Sequence, residues 1–253
     1  MTKHTRLLGI CITCISLLQL YSCIKPPHDF DPRDANNVYN GCRVKQTTNQ
    51  PTVESSAITR NFVYNSNNDP VSVSSDAVST GNPNLIFKYD AACRLIEYSG
   101  IFPNGLYEFV HLYGYSGNKI VTDTQYVFGT YGNFTDYFSK RFKYLKYDSY
   151  NRIAQDSEVF VAPSPMTNVI NYSYDATGNL INGKVYDSKL NPHRTNKVWM
   201  FIDRDYSVNN SVTANTYNSS GLPLTYTTSG FVFDLTFAYW VYFGSAQITY
   251  ECK

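Results

Sequence analysis

The sequence carries almost no net charge. Its 21 Lys and Arg stand against 20 Asp and Glu, and neither sign is blocked along the chain. That leaves no electrostatic footprint for a nucleic-acid partner and no polybasic patch for anionic lipid. Histidine is scarce, four in all; past the N-terminal region only His111 and His193 remain in the body, with His28 ahead of it. None sits in a cluster spaced as zinc ligands, so no metal is expected. Good helix formers are sparse, and no window of about a dozen residues carries an apolar stripe at helical period. A Gly-rich phosphate loop and a nucleophile elbow are also missing, so no cofactor is expected. A Ser-His-Asp triad assembles in space rather than in sequence and stays open, although nothing selects one.

Aromatic residues are abundant, with 23 Tyr and 15 Phe. Together with plentiful Asn, Ser and Gly, they give the composition of strands joined by tight turns. One phrase recurs: two aromatics one residue apart, an Asp, a few turn formers, then two aliphatics. It reads Phe87-Lys88-Tyr89-Asp90 to Leu95-Ile96, Leu145-Lys146-Tyr147-Asp148 to Ile153-Ala154, and Tyr172-Ser173-Tyr174-Asp175 to Leu180-Ile181. Looser copies centre on Tyr64-Asn65, Tyr115-Ser116 and Tyr217-Asn218. A period of roughly 25 to 30 residues identifies one duplicated supersecondary unit. Leu85, Phe87 and Tyr89 alternate as a half-buried strand does. The Asp carboxylate then accepts backbone amides of the turn, and Gly178 or Asn151 supplies a left-handed corner. Each copy is a hairpin, and six in series make about a dozen strands of antiparallel meander. The closing run Phe231–Phe243 reads as one or two buried strands.

Lys3, His4 and Arg6 precede an apolar stretch from Leu7 to Leu20, as in an export signal. Leu20-Tyr21-Ser22-Cys23 resembles the lipobox of bacterial lipoproteins, with Tyr21 bulkier than the usual occupant. The resemblance implies cleavage before Cys23 and a diacylglycerol on its sulfur. The alternative is an uncleaved membrane anchor, since the apolar run reaches the lower limit for a span. The Pro-rich, charged stretch that follows is expected to form an extended tether. Of the other cysteines, Cys42 opens the first strand-like segment and Cys252 ends the last. A bridge between them is one expectation and free buried thiols the other. Cys93 takes a turn position filled by Asn or Gly in other copies.

The Tyr89-Asp90, Tyr147-Asp148 and Tyr174-Asp175 pairs, with the turn Gly178, resemble the YD-repeat (Rhs) family. Further phrases, Thr80–Asn84, Arg194–Asn209 and the terminal Tyr250–Lys253, are similar to an uncharacterised family of Gram-negative lipoproteins with YD-like hairpins. These resemblances imply a fold and an outer-membrane address. They imply no activity.

Asp203-Arg204-Asp205, close to Trp199, is the densest charged group flanked by aromatics. Paired carboxylates could serve glycoside hydrolysis if they faced one cleft. In a strand, Asp203 and Asp205 would share a face with Arg204 opposite, and the plainer expectation is a structural cluster that caps a turn or pairs with Arg194 or Lys197. Trp199 with these three residues is the candidate ligand site. The repeat tyrosines are expected to be mostly structural, as cross-strand ladders, with some free to meet sugars.

The expected chain is therefore all-β: a curved antiparallel meander of YD-type hairpins, as a half-shell or a partly closed barrel. Residues 1–22 are the signal, 23–40 the lipidated Cys and tether, and 41–253 one repeat domain. The expected role is a non-enzymatic scaffold or adhesion module held to the cell envelope by its lipid. A glycan-binding surface protein is the alternative, and an envelope hydrolase the remote one. Its expected partners are the membrane and either a glycan or another envelope protein.

Overall fold

The computed structural model describes residues 31–50, 56–211, 214–228 and 244–253. The signal segment, Cys23 and the run 231–243 lie outside the described residues. The strands are β1 (Cys42–Gln50), β2 (Ile58–Tyr64), β3 (Pro70–Ser75), β4 (Asn84–Tyr89), β5 (Leu95–Ile101), β6 (Leu106–Ser116) and β7 (Lys119–Thr130). They continue with β8 (Tyr137–Tyr147), β9 (Ile153–Ala162), β10 (Met166–Asn171), β11 (Ala214–Tyr217), β12 (Pro223–Thr228) and β13 (Gly244–Cys252). All join one 13-stranded sheet in the order β10 to β1, then β13, β12 and β11. The pairings are antiparallel throughout, and the outer strands β10 and β11 do not pair with each other. The fold is an open, curved all-β meander and not a closed barrel.

In a meander, turns two strands apart share a rim. The repeat turns at 65–69, 90–94, 117–118, 148–152 and 218–222 therefore line one edge of the sheet. In the four longer turns, all but 117–118, the Asp or Asn oxygen holds two backbone amides. Asp90 Oδ1 accepts from Ala92 N and Arg94 N at 2.9 Å each, and Asp148 Oδ1 from Tyr150 N at 2.9 Å and Arg152 N at 3.0 Å. Asn65 and Asn218 do the same with their own turns. The left-handed corner falls at Asn68, Cys93, Asn151, Gly178 and Gly221, with φ from 58° to 92°.

A second regularity links one repeat to the next. The corner tyrosine donates its hydroxyl to a carbonyl just past the preceding turn. Tyr89 bonds Pro70 O, Tyr115 bonds Leu95 O, and Tyr147 bonds Ile120 O, each at 2.8 Å. Tyr64 reaches Val44 O at 2.7 Å and Tyr250 reaches Pro223 O at 3.0 Å. Burial raises these phenols above their ordinary value, Tyr115 to about 12, so they stay protonated donors.

The copy at Tyr174-Asp175 departs from expectation. Its turn forms, with Asp175 Oδ1 accepting Thr177 N and Asn179 N at 2.9 Å each. Its strands shrink to a single Tyr174–Leu180 bridge. From there, residues 182–211 lead away from the β10 edge toward β11 at the opposite edge, so they cross the concave face. This crossover carries a 3-10 turn (Pro192–Thr195) and one helix, α1 (Lys197–Asp203). Asn196 caps α1, its side chain accepting Val198 N at 2.8 Å. Trp199 is wholly buried and meets Phe62 and Phe87 edge-on at 5.8 and 5.5 Å. Phe201 meets Tyr113 at 5.2 Å. The sheet curls around this plug, and together they form the main core. A smaller cluster of Tyr107, Val110 and Tyr126 packs with Phe134 of the 131–136 connection.

The tether was expected to run to residue 40, but residues 31–40 belong to the folded body. Ala35 is buried, and its amide donates to Tyr150 O at 3.0 Å. Tyr39 N donates to Arg194 O at 2.7 Å. Arg194 Nη2 returns hydrogen bonds to the Asp34 carbonyl at 3.1 Å and to the Asn37 carbonyl. These backbone contacts carry no strand alternation, which is why the segment reads as linker.

Candidate functional site

Two polar assemblies stand out. The first is buried, and it contains the charged triplet expected to form a ligand site. Asp203 ends α1, and Arg204 caps it in a left-handed conformation at φ 56°; the strand geometry expected there does not occur. A helix termination turns the three side chains in different directions, whereas a strand would have put both carboxylates on one face. Asp203 Oδ2 lies 2.7 Å from His193 Nε2, and His193 Nδ1 lies 2.7 Å from Asn191 Oδ1. Asp205 caps a turn by accepting Ser207 N at 2.8 Å, and its other oxygen is 3.9 Å from His193 Nδ1. Arg194 donates to the carbonyls of residues 34 and 37, and Asp205 acts on its guanidinium through charge.

Arg204 reaches into the sheet. Its guanidinium lies 3.5 Å from Asp123 on β7 and 3.3 Å from Asp156 on β9, and it packs over Phe201 at 4.5 Å. His111 Nδ1 is 2.9 Å from Asp123. Burial works to raise the Asp123 carboxyl, but the charge and hydrogen bond of His111 and the charge of Arg204 outweigh it and hold it below its ordinary value. Arg204 is shifted upward despite its burial, because Asp123 and Asp156 face it.

This assembly locks the plug to the sheet. Both ring nitrogens of His193 face oxygens of the network, which leaves no ring nitrogen for a serine. Trp199 is not a surface platform for a sugar, because it lies in the core among Phe62, Tyr64 and Phe87. Among the described residues, no group of three or more His, Cys, Asp and Glu is placed to hold a metal.

The second assembly is open. At the repeat-turn rim, residues 35–40, α1 and three successive turns enclose a cleft of ≈ 740 Å³. Its amides come from Asn36, Asn37, Asn40, Asn118 and Asn151, its cations from Arg94, Lys119 and Lys197, and its rings from Tyr115, Tyr147 and Tyr206. Leu95, Ile120, Val198 and Phe201 form the apolar floor. No carboxylate lines it among the described residues. Arg94 lies over the Tyr115 ring at 4.6 Å and Lys119 over Tyr147 at 5.3 Å. The same tyrosines anchor the repeat ladder, so each cation rests on a fixed ring.

The repeat residues Tyr89, Asp90, Tyr147, Asp148, Tyr174, Asp175 and Gly178 all lie at turns of this rim. Cys42 and Cys252 lie on the same rim, between the turns at 65–69 and 218–222. They pair across β1 and β13 with Cα atoms 4.0 Å apart and are joined by a disulfide. Lys119, Asn118, Lys197 and the asparagines of 36–40 escaped the sequence reading. A signal was present for one of them: the residue before the returning aliphatic is a cation in Arg94-Leu95, Lys119-Ile120 and Arg152-Ile153.

No family model matches the chain, and no curated protein matches it. Among solved structures, it is similar to one described as TcdB2-TccC3-TEV, at 10% identity and a TM-score of 0.28, over 68% of this chain and 9% of that one. A second, TcdB2-TccC3-Cdc42, gives 10% identity and a TM-score of 0.30 over the same shares. The chain therefore spans under a tenth of the length of these proteins, and a likeness of this strength carries nothing about activity.

Proposed function

We propose that this chain is a lipid-anchored module of the cell envelope that acts by binding and not by catalysis, as an adhesion or scaffold element. The observation that carries the reading is a contrast between its two polar assemblies. The carboxylates a hydrolase would need are buried and engaged with His193, His111 and Arg204. The accessible cleft offers amides, cations and rings with no acid among the described residues. Such a lining can hold a ligand, but it supplies no carboxylate for general acid or base work.

The anchor at Cys23 rests on the lipobox-like sequence and on the Gram-negative lipoprotein resemblance, which together favour the outer membrane. Each acyl methylene contributes ~0.8 kcal/mol, so two or more chains hold stably. Asp31 follows Cys23 by eight residues, which span at most ~28 Å when fully extended. An anchored domain would thus hold its cleft near the bilayer. A glycan ligand is the second reading, favoured by the Asn40 and Asn118 amides of the cleft rather than by Trp199.

Fractionation tests the anchor: Cys23→Ala is expected to move the protein from the membrane to the soluble fraction, and continued retention would argue for an uncleaved span. The non-enzymatic reading would be lost if the purified chain hydrolysed glycosidic, ester or peptide substrates and Asp203→Asn abolished the turnover.

A further inference from the structure

We infer that the rim cleft takes an acidic saccharide, a short sugar chain bearing carboxylate or sulfate groups; the inference rests on the binding-module reading and names its ligand. Charge is the first argument. Arg94 is partly compensated by Asp90, 2.6 Å away, whereas Lys119 and Lys197 form no ion pair among the described residues. Two uncompensated ammonium groups in a cleft without acids raise the local concentration of anions.

Preorganisation is the second argument. Lys119 lies over a ring whose hydroxyl is tied to Ile120 O, so an incoming anion need not order the whole side chain from scratch. Arg94 and Lys119 already lie over the Tyr115 and Tyr147 rings, and Tyr206 is buried, which leaves little ring face for a neutral sugar to stack on. Neutral-sugar stacking is therefore disfavoured, and charge-assisted hydrogen bonds are favoured.

The amides supply the third argument. Asn40 and Asn118 make no side-chain hydrogen bond among the described residues. Each offers both a donor and an acceptor, which matches a sugar hydroxyl better than a bare anion. The cleft volume is that of an ordinary small-ligand site, large enough for a short oligosaccharide.

Calorimetric titration of the full chain in neutral detergent, with trigalacturonate and with maltotriose, tests the inference. Trigalacturonate is expected to bind, and maltotriose about tenfold more weakly or worse. Lys119→Gln and Lys197→Gln should each weaken the acidic sugar about tenfold, the loss of one hydrogen bond to a charged group. Lys45→Gln, at an exposed position of β1 outside the cleft, should change nothing. Equal binding of the two sugars, or binding indifferent to Lys119 and Lys197, would overturn charge selection while leaving a glycan reading intact. Binding to phosphatidylglycerol vesicles that trigalacturonate does not compete would assign the cleft to a lipid headgroup instead. Failure of both sugars to bind would remove the saccharide but leave the anchored module, which the Cys23→Ala fractionation tests separately.

Discussion

The Tyr147 hydroxyl donates to the Ile120 carbonyl at 2.8 Å, tying one repeat corner to the start of the strand that leaves the previous one. The same bond recurs from Tyr64, Tyr89 and Tyr115, and at 3.5 Å from Tyr174. It explains why the motif needs tyrosine and not phenylalanine. The phenol satisfies a carbonyl that the sheet ladder leaves over beside a turn, and a buried carbonyl without a partner is costly.

Tyr147→Phe should therefore destabilise the domain by about 1 kcal/mol, the net worth of one hydrogen bond. Urea unfolding followed by tyrosine fluorescence would measure it. Phe109→Leu, which removes ring contacts but no ladder bond, serves as the comparison for packing alone. A Tyr147→Phe midpoint equal to wild type would show that the ladder is geometric coincidence.

The hairpins were legible because everything that makes them is local: alternation at period two, an Asp that holds its own turn, and a Gly or Asn at the corner. The plug was not. Val198-Trp199-Met200-Phe201-Ile202 is an unbroken apolar run, so α1 shows no stripe at helical period, as expected of a helix most of whose residues are buried. The third Tyr-Asp copy looks as complete as the others, yet its strands fail to extend because Asn182-Gly183 starts the crossover. The partners of Arg204 lie on β7 and β9, distant in sequence, and no spacing rule reaches that far. The cleft combines three turns with residues 35–40 and α1, so it exists only once the sheet has curled.

Gly178 sits at φ +92° against residues 31–40, and a Cβ there would come within 2.8 Å of Arg33 Cγ and 2.9 Å of Val208 Cγ2. Gly178→Ala should cost about 1–2 kcal/mol for the left-handed backbone alone, with the contacts adding to it. Limited proteolysis should then cut residues 31–40 faster than in wild type. Unchanged cleavage would mean that Arg33 and Val208 move aside freely.

The Cys42–Cys252 disulfide joins residues 210 apart in sequence. In the chain-entropy account, closing so long a loop removes about 5 kcal/mol of unfolded-state freedom. Cys252→Ala should lower the denaturation midpoint strongly under oxidising conditions, and under reducing conditions its midpoint and that of the wild type should converge. Equal midpoints under oxidising and reducing conditions would show that β1 and β13 hold together without the bond.

Arg204 offers the sharpest test of how the plug is held. Replacing it by Met leaves the buried Asp123 and Asp156 carboxylates without the cation they share, and breaking such a pair costs about 3–5 kcal/mol. The pH dependence carries a separate signature. In the wild type Asp123 is held below its ordinary value of 3.8. The folded state therefore binds its proton less readily than the unfolded chain, and the stability it contributes is complete above the unfolded value. That contribution drains away as pH falls below 3.8 through the folded value. Without Arg204 one of the charges that offset burial is lost and the same carboxyl rises relative to wild type, so acid destabilisation should begin at a higher pH than in wild type. Urea midpoints measured from neutral pH down to about pH 3 would show the two curves diverging. Parallel curves, offset but with the same acid limb, would mean that His111 and Lys143 set the state of Asp123 and that Arg204 acts through packing over Phe201.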